Sequence, residues 1–485
     1  AQIALPAILI RLLDAVIRRG ELSKNEHSQL CQLRSTLCER FVLSFKALDE
    51  SDPLQTKYCL FFSLALSMLA RDYRTGVAGT RDLIKCAGYA QQCINGEKKL
   101  NIPKADGYLQ VALCLNARME DMLNVTDTKM NGTLPFSSQL ADAVREAVRD
   151  YHEGSMYKRD EAVRTFRRNL FPRWKPGLGN VLACCDIFQI ILEAAYEKYV
   201  SAANQNNQNY QEIARLGYVS KAYLVLAAIG TSGGALNLLA QMLINQANQY
   251  EADQRISFFR RHPDIDTFVQ QHAAPYGWPL NDNYALAYRV LQSVCGIQRG
   301  SQPYSHMKKA ELVLKGYVSE SSSTQLTSLN IAINGGLAMG HYWKGRLLLE
   351  QAKQDHDRCN DYKDAAIASF CATNVTERFD HLPENADEDA APQLSPPQWL
   401  SAIELLRYPD RAVFRVDRRM VFQTIYQKLT QQVEEVQSDN IQIHNERYRL
   451  TKKDVRSNLE RCLDMVKAQF PDKEPLIQKM IRSIR

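Results

Sequence analysis

Residues 63–90, SLALSMLARDYRTGVAGTRDLIKCAGYA, decide the fold. Ala65, Leu69, Ala70 and Tyr73 stand at helical offsets, Gly76 ends the run, and Asp82 opens a second one through Lys85, Cys86 and Tyr89. Small residues near a crossing let two antiparallel helices approach closely, and a large apolar residue from the next turn fills the groove beside them. Gly76 then serves the turn. A comparable order returns far downstream in residues 336–372, GLAMGHYWKGRLLLEQAKQDHDRCNDYKDAAIASFCA. There Gly336, Ala338, Gly340, Gly345 and Leu348 precede Asp361, Tyr362, Ala365, Phe370 and Ala372. One helix pair buries a single face, so several must stack to close a core. The expectation is an all-α chain: an α-solenoid-like stack of antiparallel helix pairs with a C-terminal helical bundle.

The spacing resembles that of Sel-one-like repeats, the shorter relatives of tetratricopeptide repeats. Leu69-Ala70-x-x-Tyr73-x-x-Gly76 and Asp361-Tyr362-x-x-Ala365 carry the likeness. Ala70 stands where the family has Gly, Cys86 where it has Ala and Lys344 where it has Leu, and four extra residues precede Asp361. A fainter third trace, residues 218–243, sets Lys221-Ala222 and Ala227-Ala228 ahead of Gly233-Gly234-Ala235. Such proteins are generally adaptors, and some of those in intracellular bacteria are delivered into host cells. The resemblance therefore implies a protein partner met in the cytoplasm, or in a host cytosol for a delivered effector.

Composition is ordinary for a soluble globular protein: of 485 residues, 45% are hydrophobic and 24% charged. That length gives a prior of about three domain-sized units. Twelve cysteines in so long a chain make no small secreted framework, and no Cys-x-x-Cys pair is present to seed a zinc or redox site. Cys31 with Cys38 and Cys86 with Cys93 are seven residues apart, which puts each pair on one helical face but too far apart to bridge. They read as buried thiols in a reducing compartment, although sequon triplets at Asn124, Asn131 and Asn374 point the other way. Residues 1–19 are apolar but interrupted by Arg11 and Asp14, which fits an amphipathic helix better than a leader. Residues 222–250 carry no charge and are long enough for a membrane helix, yet Thr231-Ser232-Gly233-Gly234 breaks them into two buried helices joined by a tight turn. No transmembrane segment is expected.

Helical punctuation recurs elsewhere. Ser23-x-x-Glu26 reads as a capping box ahead of a stripe at Leu30, Leu33, Leu37 and Phe41. Asp52-Pro53 starts the next helix, and Thr451, with Asp454 as its capping partner, starts another through Val455, Leu459, Cys462 and Val466. Turn-rich residues 124–138 and acidic, proline-rich residues 381–397 divide the chain. The division predicts an N-terminal helical block over 1–123, a helical repeat-like region over 139–380 and a basic C-terminal helical region over 398–485. This last segment holds 17 Lys and Arg against 12 Asp and Glu, five of the six net positive charges of the chain.

The densest candidate for binding is the basic stretch Lys158, Arg159, Arg164, Arg167, Arg168, Arg173 and Lys175, interleaved with Tyr157, Phe166, Phe171 and Trp174. Arginine forks pair with oxyanions and aromatics stack, so the stretch suits an acidic protein surface or a phosphate-bearing ligand. The bland reading is a solvated helix and a proline-flanked loop. Nucleic acid is disfavoured, because a net charge of +6 is modest and no nucleic-acid motif is present. Asp264-x-Asp266 has the spacing of a metal-binding acid pair but no Rossmann-like surroundings. Cys184-Cys185 sit in an apolar helical run, where cysteine is usually core filler, and His341 beside Tyr342 and Trp343 reads as packing. No catalytic, cofactor-binding or metal-binding residue is nominated and no cofactor is implied. The function that follows is a protein-protein interaction scaffold or adaptor. The alternatives are a helical enzyme of transferase or cysteine-dependent type and a binder of anionic lipid or nucleic acid through the basic patches.

Overall fold

The computed structural model describes residues 3–19, 22, 24–77, 79–100, 106–123, 141–142, 144–146, 196, 199–205, 208–229, 232–253, 283–297, 302–380, 392, 394–408, 414, 416–437 and 452–484. All regular structure among the described residues is helical. The chain divides into two compact units, the first built mainly from residues 1–239 and the second from residues 281–443 and 447–485 with 240–261. The apolar residues 222–250 do form two helices, and no described helix is long and apolar enough to cross a membrane.

The first unit holds α1 (Ala4–Arg19), α2 (Lys24–Lys46), α3 (Pro53–Thr75), α4 (Leu83–Lys99), α5 (Asp106–Leu123) and α6 (Gln208–Ile229), followed by the start of α7 (Gly233–Asp253). Each of α1 to α5 packs on the next, and α3 also meets α5, the contact that makes a row of hairpins a stack. The small and apolar residues of the stretch 63–90 pack and cap as their helical spacing suggests. Ala65, Leu69, Ala70 and Cys86 are fully buried at the α3/α4 crossing. Gly76 caps α3 in the left-handed region at φ 71°, and the Asp82 carboxylate accepts the Ile84 and Lys85 amides to start α4. Tyr73 and Tyr89 stack at 5.6 Å and both donate their hydroxyls to Glu39 of α2. Asp52 and Pro53 begin α3 as expected.

The stripe expected on α2 is shifted. Leu33 is exposed, and the inward face runs through Cys31, Arg34, Cys38, Phe41 and Phe45. The cause is Arg34, which goes inside because Asp14 of α1 and Asp72 of α3 meet it there. Ser23, the proposed cap of α2, lies outside the described residues.

The second unit contains α8 (Asn283–Ile297), α9 (Pro303–Leu314), α10 (Ser322–Asn334), α11 (Ala338–Gln354), α12 (Cys359–Cys371), α13 (Val375–Asp380), α14 (Pro396–Leu406), α15 (Arg418–Gln437), α16 (Lys452–Gln469) and α17 (Glu474–Ser483). Helices α8 to α12 again pack in sequence, and α9 meets α11. Helices α14 to α17 join the same core: Trp399, Phe422, Leu459 and Ile477 belong to one cluster with Leu329, Tyr342 and Phe370. Pro396 and Pro397, the end of the expected linker, are instead the first turn of α14, which Ser395 and Gln398 close as a capping box. Asp361, matched to Asp82 by spacing, is exposed within α12 and caps nothing, and Ala365 is exposed while Ala366 is buried. Asp454 takes Lys315 as its ion-pair partner, and Thr451 lies outside the described residues.

Gly345 is where the α11/α12 crossing is tightest. A Cβ there would lie 2.5 Å from Phe370 Cε1, and Phe370 is itself fully buried. Gly345→Ala is expected to cost about 1–3 kcal/mol through forced repacking, offset in small part by better helix propensity. Urea unfolding of the second unit, followed by hydrogen exchange at α11 and α12, measures it; an unchanged midpoint would show that Phe370 can yield.

Candidate functional site

The basic stretch at Lys158, Arg159, Arg164, Arg167, Arg168, Arg173, Trp174 and Lys175 lies outside the described residues, as do Cys184, Cys185, Asp264 and Asp266. His341 is half-buried; burial and then Lys344 depress its pKa, and its backbone carbonyl accepts Ser369 Oγ at 3.1 Å. It behaves as a packing residue. The described cysteines are free. Burial raises the thiols of Cys31 and Cys371, and pushes those of Cys38 and Cys462 up to about 12, so these are neutral core sulfurs rather than nucleophiles. Among the described residues no group of three His, Cys, Asp or Glu side chains could hold a metal ion.

Two features stand out from a packed helical protein. The first is on α1. Its inner face, Ala7, Ile10 and Asp14, is buried, as is Ile3 just ahead of the helix. Its outer face is also apolar: Leu5, Ile8, Leu9, Leu12 and Val16 are exposed, Leu12 to 59%. Offsets of three and four residues place these five side chains along one side of the helix, over about 17 Å. An aliphatic stripe of that length on a surface helix is unusual without a function. The sequence pattern contains it in plain view, since α1 is apolar on more than one side. Arg11 on the same helix is exposed and reaches over the Phe61 ring at 5.4 Å.

The second feature is a set of buried and half-buried charges in the second unit. Helix α9 is buried along most of its length in spite of Lys308, Lys309 and Glu311. Lys308 and Lys315 both pair with Glu311, at 2.8 and 2.9 Å, and Lys315 also pairs with Asp454 at 2.8 Å. Burial alone would raise the Glu311 carboxyl, but the two ammonium groups more than reverse it and hold it at about 2. On the other side of α9, Lys309 and the Tyr288 hydroxyl share Glu320 Oε1. The Nδ1 of His306 lies 3.3 Å from Ser328 Oγ, and burial, with Lys309 next, keeps the ring neutral to lower pH than usual. These charges satisfy one another, so they read as bracing.

Around Tyr342 the balance differs. The fully buried Tyr342 hydroxyl accepts from Arg346 Nη1 at 3.4 Å and from Arg461 Nη1. Glu404, 1% exposed, answers Arg346 at 3.6 Å and Arg407 at 3.3 Å. Two guanidinium groups from helices remote in sequence thus meet over one phenol. No sequence motif marks this meeting, because Tyr342, Glu404 and Arg461 are scattered along the chain. No family model, curated protein sequence or solved structure matches this chain.

Proposed function

We propose that the chain is a protein-protein interaction scaffold or adaptor that receives an amphipathic helix of a partner on the outer face of α1. The observation that carries this reading is the exposed aliphatic stripe from Leu5 to Val16 on a helix already anchored by its opposite face. Its spacing supplies anchors at the register in which one helix lies along another. The flanking charge also specifies the occupant. Arg11 is exposed beside the stripe and Arg18 and Arg19 follow in the sequence, while the one acid of the helix, Asp14, is buried on Arg34. A partner helix with an aliphatic seam and acidic flanks complements this face. The helical-repeat resemblance supports the same class of function.

Site-specific photo-crosslinking from Leu12, followed by titration of the captured partner segment as a synthetic peptide, tests the proposal. Ile8→Asp with Leu12→Asp should leave helicity unchanged and weaken peptide binding at least about 100-fold, since two desolvated aliphatic anchors are replaced by charges. Crosslinks exclusively between copies of this chain, with dissociation of a dimer by the same variant, would replace the adaptor reading with self-association. Full peptide affinity in the variant would move the interface off α1.

A further inference from the structure

We infer that Arg346 and Arg461, held side by side by Tyr342, form a binding site for a phosphate group in the second unit, separate from the α1 surface. The inference starts from charge. Arg346 of α11 and Arg407 just after α14 flank a single buried carboxylate, Glu404, and Arg461 of α16 meets Arg346 at the Tyr342 hydroxyl. Glu404 contacts Arg346 and Arg407, and Arg461 bonds to two hydroxyls, Tyr342 and Ser457 Oγ, the latter at 3.1 Å, with no carboxylate within ion-pair distance among the described residues. Glu350, which also favours the Arg346 charge, is paired with Lys353 at 2.8 Å. Among the described residues the three arginines and Glu404 leave about two positive charges unneutralised, and a phosphate dianion carries that charge where a carboxylate carries half of it.

Geometry supplies the second argument. Two like charges brought to one acceptor repel, and the fold accepts this where the Tyr342 hydroxyl accepts from both guanidinium groups. Each arginine uses part of its five-donor fork on the protein. No buried Nε or Nη of Arg346 or Arg461 is left without a partner, and both side chains keep part of their surface exposed. Two guanidinium forks held side by side are what bidentate recognition of a tetrahedral oxyanion needs. Tyr342 is a positioning residue here: it is fully buried and touches the arginines rather than the ligand.

The test uses the full chain. Inorganic phosphate and O-phosphoserine are titrated by calorimetry at fixed ionic strength, with acetate as the carboxylate comparison. Saturable binding is expected for at least one phosphate probe, tighter than acetate by about tenfold or more, and Arg461→Gln should weaken it by at least about tenfold through loss of one charge-assisted fork. Arg461→Lys, which keeps the charge and the fold but not the fork, should also weaken it, and Arg456→Gln, on the exposed Arg456–Glu460 pair, should not. Tighter binding of inorganic phosphate assigns the free ion, and tighter binding of O-phosphoserine assigns a monoester. Absence of saturable binding, equal affinity for acetate, or affinity unchanged in both Arg461 variants would overturn the inference. The α1 variant Ile8→Asp/Leu12→Asp should bind phosphate as the wild type does, so the two proposals fail independently.

Discussion

Arg34→Ala is expected to destabilise the first unit by about 3–5 kcal/mol. Arg34 is 1% exposed, and its guanidinium donates to Asp14 Oδ1 at 2.8 Å and to both oxygens of Asp72 at 2.7 and 2.8 Å. Burial works against that charge, but Asp72, and then Asp14, outweigh it and raise the Arg34 pKa. Truncation leaves two buried carboxylates facing each other, with the half-exposed Arg71, at 3.3 and 3.7 Å, and Ser35 as the groups still near them. The cost comes from those abandoned charges rather than from the lost attraction. A triple change, Arg34→Met with Asp14→Leu and Asp72→Leu, should therefore recover most of the loss, because an apolar set of similar volume incurs no desolvation penalty. A chain of two units has no single unfolding free energy, so the measurement must be local. Denaturant-dependent labelling of Cys31 and Cys38, read by peptide mass spectrometry, reports the opening of α2 directly. A single-variant loss below about 1 kcal/mol would mean that water or Arg71 reaches the carboxylates.

That network also explains the limits of the sequence reading. Helical class, the α3 start at Asp52-Pro53, the Gly76 stop, the Asp82 start and the division of 222–250 into a helix ending at Ile229 and one starting at Gly233 are local features, and each was legible because a cap or turn is decided by a few neighbouring residues. The inward face of α2 was not legible. Leu33 and Arg34 are adjacent, and an apolar period alone puts Leu33 inside; only Asp14 and Asp72, 20 and 38 residues away from Arg34, reverse the choice. The same holds for Asp361, which fits a repeat by spacing but begins no helix. The candidate sites divide along this line too. The α1 stripe is contiguous and its apolar residues could be read directly, although its exposure depends on packing. The Arg346–Tyr342–Arg461 cluster joins positions 119 residues apart, and no local pattern announces it.

Between about pH 4.5 and pH 8 the first unit is expected to lose stability through one residue, Glu97, and Glu97→Gln should remove that loss. Glu97 of α4 is 2% exposed at the meeting of α3, α4 and α5. Its Oε1 accepts Ser63 Oγ at 2.8 Å and the Asp106 amide at 3.1 Å, and Oε2 accepts the Gly107 amide at 3.2 Å, so it caps α5 from a neighbouring helix. Burial, and after it the Asp106 carboxylate, raise its pKa to about 8 against the lowering effect of these donors. Cys93 and Tyr108 also face it, and both are pushed well above their usual range, so neither supplies a charge. An acid whose folded pKa lies above its unfolded value holds its proton more firmly when folded. Stability is then complete below the unfolded pKa and falls as pH rises through the folded one, the reverse of a salt-bridged carboxylate. The shift corresponds to roughly 2–5 kcal/mol across the window. Glutamine keeps an oxygen for Ser63 and the α5 amides and cannot ionise, so the variant should gain on the wild type by that amount from pH 5 to pH 8.5. Local hydrogen exchange of α4 and α5 at the two pH values, corrected for intrinsic exchange rates, measures the difference. Parallel pH profiles for variant and wild type would mean that the three donors, not burial, set the Glu97 proton affinity, and that the carboxylate is ionised in the core throughout.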